Sequence, residues 1–193
     1  MSANGWVESR PDGSATRYCE FRLPPERLRA LLEEIFSIHW RHIVFGPVME
    51  GAVFEIRCDK QPELRFLDGY LTVDFGVWHF HLCVGPHLGS RSEELRKNRP
   101  IRRAAFFETR GGGCAGGRSW GLRFWNGFDQ QMITIFLPNP YLSDEMRLMQ
   151  QPDWSRLRLY YDLRSRYLNE PMPGDFREAA EAPWAELQAR GPQ

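Results

Sequence analysis

Apolar positions recur at helical spacing in one early stretch and at strand spacing through the middle of the chain. Leu28, Leu31, Leu32, Ile35, Phe36 and His39 lie three and four positions apart, which gathers them on one side of a helix. Pro24-Pro25-Glu26 opens that helix, because proline fits a first turn and a carboxylate suits the positive end of the helix dipole. Gly46-Pro47 stops it. Residues 1–15 are polar, with Gly, Ser and Pro, and read as a flexible lead-in, followed by an edge strand over 16–23.

Between residues 48 and 137 the period becomes two. Over 53–58, Phe54, Ile56 and Cys58 share one face, and Glu55 and Arg57 the other. Leu64 and Phe66 run into Asp68-Gly69, a hairpin signal. Residues 70–84 follow as one long strand or two short ones, 101–109 as another, and 119–125 with 131–137 as a hairpin around Asn126-Gly127. Pro138-Asn139-Pro140 ends the strands; helical stripes return over 154–168 and 175–182, the latter broken by Pro183. Hairpin-joined strands pair antiparallel. The expected fold is therefore α+β: an antiparallel sheet of about six to eight strands, with the N-terminal helix and the C-terminal helices packed on one face. The lead-in 1–15, a single domain over 16–170 and a helical extension over 171–193 complete the layout.

Composition narrows the function classes. The 193 residues carry 25 basic and 25 acidic side chains, so bulk electrostatic capture of nucleic acid or an anionic membrane is not expected. No apolar run approaches the roughly 20 residues that span a bilayer. Cys19, Cys58, Cys83 and Cys114 are too far apart for a zinc-finger or C-x-x-C spacing. The first residues, Met1-Ser2-Ala3-Asn4-Gly5-Trp6, lack the basic and apolar regions of a secretory signal. A cytoplasmic protein with reduced thiols follows as the expectation. Cys114, inside the glycine-rich stretch 110–118, is the thiol expected to be most exposed.

The chemistry concentrates in Val77-Trp78-His79-Phe80-His81-Leu82-Cys83-Val84. Strict alternation puts Trp78, Phe80, Leu82 and Val84 on a core face, and His79, His81 and Cys83 on the other. The two histidine Cα atoms then lie about 6.6 Å apart, close enough for both rings to share one ion. His87, beyond Gly85-Pro86, is the third candidate ligand. A bulge or a tight turn near Gly76 brings Tyr70, Thr72 and Asp74 onto the same face. His39 and His42 join the set if the first helix covers that face; Glu55, Asp74, Glu93 and Glu108 are candidate oxygen ligands.

Two arginine features accompany the histidines. Arg110 and Arg118 flank the glycine-rich stretch, where successive backbone N–H groups can cradle an anion. Arg123 alternates with Gly121 and Trp125 on one face and is the candidate anchor for a substrate's negative charge. The expectation is a small metal-binding protein or metal-dependent enzyme acting on a small anionic substrate. His79, His81 and His87 would hold a divalent iron or zinc ion, with haem as the alternative cofactor. The competing expectation is a non-catalytic accessory subunit with structural histidines, whose exposed aromatics and the arginine-rich segment 91–103 meet a protein partner or a second copy of the chain.

Overall fold

A computed structural model describes residues 4–113 and 115–184. Its described strands are β1 (Asn4–Ser9), β2 (Ala15–Phe21), β3 (Val44–Gly46), β4 (Val48–Met49), β5 (Ala52–Val53), β6 (Glu63–Leu67), β7 (Tyr70–Asp74), β8 (His79–Cys83), β9 (Ile101–Arg110), β10 (Arg118–Asn126) and β11 (Gln131–Phe136). Its helices are α1 (Pro25–Ile38), α2 (Glu93–Asn98), α3 (Arg158–Leu168) and α4 (Phe176–Glu181). The fold is α+β with a six-strand antiparallel sheet in the order β1-β2-β9-β10-β11-β3. The hairpin β4-β5 and the sheet β6-β7-β8 are hydrogen-bonded separately from it. The histidine strand therefore lies in a small sheet of its own.

Two compact units make up the chain. One comprises residues up to Phe21, Ala105–Leu122 and residues from Phe136 onward; the other comprises Arg22–Ala104 and Arg123–Ile135. In the first unit the segment expected to be a loose lead-in forms β1, paired with β2 in the register Trp6↔Tyr18 and Ser9↔Ala15. Burial accounts for the difference. The Trp6 indole is 2% exposed and stacks on Tyr18 with ring centres 4.6 Å apart. That one large side chain anchors a stretch whose polar composition otherwise reads as coil. Consequently β2 is not an edge strand. Phe21 against Phe106 and Phe106 against Tyr160 carry the core from β2 through β9 to α3.

In the second unit α1 has the expected stripe: Leu28, Leu31, Leu32, Ile35 and Phe36 are buried. It ends at Ile38, earlier than Gly46-Pro47 suggests, and a single 3-10 turn covers Trp40–His42. Phe36 meets Phe45 and Phe80, and Phe45 meets Phe75 and Phe80, with ring centres between 5.2 and 5.8 Å apart. The strand expected over 53–58 reduces to one bridge, Phe45↔Ile56, because the turn at Gly51 consumes its start in the β4-β5 hairpin. The segment 91–103 contains α2, capped by Ser92 Oγ accepting from the Leu95 N–H; none of the helix's side chains is buried.

Candidate functional site

The outward face of the β6-β7-β8 sheet is set by its register. Directly opposed residues share a face, and neighbours along a strand alternate. Glu63, Asp74 and His79 form one row, Arg65, Thr72 and His81 the next, and Leu67, Tyr70 and Cys83 the third. The other face carries Leu64, Val73 and Phe80, then Phe66, Leu71 and Leu82, of which Leu71, Val73 and Leu82 are buried. The chain changes parity between β7 and β8 through a tight turn. The Phe75 N–H donates to the Trp78 carbonyl, and Gly76 adopts φ +106°. Glycine at that first central position suits a type II′ hairpin, which matches the twist of its strands. Trp78, expected in the core, is the last turn residue and is 72% exposed.

His79 and His81 are both exposed, and their ring centres lie 5.1 Å apart. The Thr72 hydroxyl lies 2.8 Å from Nδ1 of His81. Asp74, opposite His79, accepts from the Gly76 N–H at 3.0 Å through Oδ1. Arg65 is paired with Glu63 at 3.0 Å within the same face.

His87 is engaged elsewhere. Its Nδ1 lies 2.8 Å from Oδ2 of Asp68, and its ring packs edge-on to Tyr70 at 5.1 Å. Tyr70 sits opposite Cys83, in the third row, whereas His79 is in the first. The Asp68 carboxylate also accepts the N–H groups of Leu88 (2.8 Å) and Gly89 (2.9 Å). These bonds, Gly89 first and then Leu88, with His87 beside them, hold the Asp68 carboxyl below the ordinary carboxylate range. Asp68 thus closes the segment after β8 back onto its own hairpin turn. Among the described residues, no group of three His, Cys, Asp or Glu side chains is gathered to hold a metal ion.

The remaining sequence candidates separate. His39 caps the end of α1 and lies 3.5 Å from Glu34, while His42 is exposed on the following turn. Arg123 is on β10 of the six-stranded sheet, where its Nε donates to Thr134 Oγ1 at 3.1 Å; the histidines are on the small sheet. The Arg103 guanidinium lies over the Trp125 ring, 4.4 Å from its centre. Glu93 opens α2, and Glu55 is exposed between β5 and Ile56. Cys58 and Cys83 are buried free thiols and Cys19 is half-buried; burial pushes the Cys58 thiol up to about 11 and raises that of Cys83. Cys114 lies outside the described residues.

Glu108 has a role that sequence reasoning missed. It is 1% exposed and accepts from Arg17 Nη2 (2.8 Å), Arg110 Nε (3.0 Å), Arg118 Nη2 and Trp184 Nε1 (3.3 Å). The available signal was an acidic residue inside an otherwise apolar strand, Ala104-Ala105-Phe106-Phe107-Glu108. An ionised side chain in such a place needs partners.

Among the described residues, no helix is long and apolar enough to cross a membrane. A family model matches residues 6–169 of the chain, that of a family of unknown function, DUF7676. No curated protein matches.

Proposed function

The chain belongs to this family of unknown function, and we propose that it binds a divalent transition-metal ion through the His79–His81 pair on the open face of the small sheet. The observation that supports this reading is the ring-centre separation of 5.1 Å. An ion held at about 2.1 Å by one nitrogen of each ring sits about 3.2 Å from each ring centre. At a near-tetrahedral angle that places the centres about 5 Å apart. When the His81 proton is on Nδ1, the Thr72 hydroxyl accepts it, and the lone pair is left on Nε2 for an ion. Asp74 is the carboxylate of the His79 row, but the protein ligands proposed are the two imidazoles alone, and water would fill the other positions. Imidazole suits zinc and ferrous iron alike. A haem reading draws no support from this geometry, since both histidines stand on a polar, exposed face. Calorimetric titration with zinc and ferrous ions tests the proposal. One equivalent should bind, and a His79→Ala/His81→Ala double variant should bind none. Equal binding by the double variant would sink it.

A second reading, an interaction subunit, is favoured by Val77 and Trp78, which are 91% and 72% exposed at the tip of the β7-β8 hairpin. Such a pair at a turn suits contact with a second copy of the chain. Sedimentation should show concentration-dependent dimers that a Val77→Lys/Trp78→Lys variant loses. A monomer at all concentrations argues against it.

A further inference from the structure

Within the first unit, three guanidinium groups converge on one carboxylate. Arg17, Arg110 and Arg118 all contact Glu108, and their side chains are only 28%, 30% and 13% exposed. One carboxylate neutralises one of them, so two positive charges remain in a half-buried place. The chain's own backbone supplies the balancing oxygens. Arg110 Nη2 donates to the carbonyls of Ala180 (2.7 Å) and Ala182 (2.9 Å), and Arg118 Nη2 also donates to Ala180. The Trp184 ring lies 4.5 Å from the Arg110 guanidinium and 5.5 Å from that of Arg17. Arg118 Nε is buried and has no hydrogen-bond partner among the described residues.

We infer that Arg17, Arg110 and Arg118 form a site for an oxyanion, a carboxylate or a phosphate, and that the end of α4 occupies it as a displaceable strap. Arginine forks are shaped for the paired oxygens of those anions, and charge-assisted bonds to them are stronger than bonds to neutral carbonyls. Two peptide oxygens on one amino group hold the place of two anion oxygens, with none of their charge. The strap itself is weakly held. α4 has six residues, too few for stability of its own. Ala180 is its only buried side chain, and Phe176 stacks on Tyr161 at 5.6 Å with the Arg158 guanidinium 5.9 Å from its ring centre. An anion that takes the guanidinium groups therefore releases the segment carrying Ala180, Ala182 and Trp184.

The test uses the full chain. Inorganic phosphate and malonate are titrated calorimetrically into wild type, Trp184→Ala and an Arg110→Gln/Trp184→Ala double variant. Amide exchange over 176–182 is followed at matched ionic strength in chloride. Loss of the indole contacts should tighten anion binding by about tenfold in Trp184→Ala, and Arg110→Gln should abolish it. In wild type, α4 amides should exchange faster in phosphate or malonate than in chloride. A response to phosphate alone identifies a phosphate site, and one to malonate alone a carboxylate site. The inference is overturned if neither anion speeds α4 exchange in wild type, or if binding survives in the double variant. The wild-type exchange result decides the matter even where a variant fails to fold.

Discussion

Thr72 and His81 stand directly opposite each other across β7 and β8, and the threonine hydroxyl lies 2.8 Å from the ring's Nδ1. That contact turns one exposed histidine into an oriented one. It also distinguishes His81 from His79, whose cross-strand partner is Asp74. Replacing Thr72 by valine keeps the shape and removes the oxygen. On the proposed function, Thr72→Val should weaken zinc binding by about tenfold, the lower end of what outer partners of ligating histidines contribute. Unchanged affinity would mean that the hydroxyl merely decorates the sheet.

Glu108 should be among the least replaceable side chains of the first unit. Glu108→Gln keeps its size and removes its charge, leaving Arg17, Arg110 and Arg118 around a neutral amide. Breaking a buried ion pair from one side typically costs about 3–5 kcal/mol. Urea denaturation should show a loss of that order. A loss under about 1 kcal/mol would show that water reaches the arginines freely.

Asp68 makes stability depend on acid. Its folded-state pKa lies below the ordinary carboxylate range because it accepts from Gly89, Leu88 and His87. The unfolded chain therefore binds that proton more readily. The contribution is complete above the ordinary carboxylate pKa and is lost as pH falls through the folded value. Asp68→Asn should flatten this acid limb of the melting-temperature profile and speed exchange of the Leu88 and Gly89 amides. Identical acid limbs in the two proteins would contradict the assignment.

Gly69 shows how tightly the same turn is drawn. It has φ +83°, and a Cβ there would stand 2.4 Å from the Pro86 carbonyl oxygen and 2.6 Å from that of Gly85. Both neighbours are backbone, so neither can swing aside. Gly69→Ala should destabilise by about 2 kcal/mol or more, through strain as well as collision. Gly13→Ala is the comparison: it has a similar φ of +84° with nothing within 4 Å of its Cβ. It should lose only the conformational part.

These cases also show what the sequence could reveal. The α1 stripe, the Asp68-Gly69 turn and the common face of Thr72, Asp74, His79 and His81 were legible, because each depends on local periodicity. The β1 strand was not: its only strong signal was Trp6, and the stacking partner, Tyr18, becomes visible only in the register. The fate of His87 was equally hidden. A turn after Gly85-Pro86 can aim an imidazole in several directions, and a carboxylate nineteen positions earlier selected one. Glu108 was visible as a candidate oxygen donor but not as the acceptor for Arg17 and Trp184, since those partners come from remote parts of the chain.

That remoteness bears on how the molecule is made. A ribosome delivers Arg17 before Glu108, and Glu108 long before Trp184. Until the late arrivals emerge, a nascent chain holds an acidic group in an apolar strand with part of its escort missing. Completion of the first unit must therefore wait until Trp184 has been made, and chains stalled or clipped before it should be recognised by proteases as unfinished.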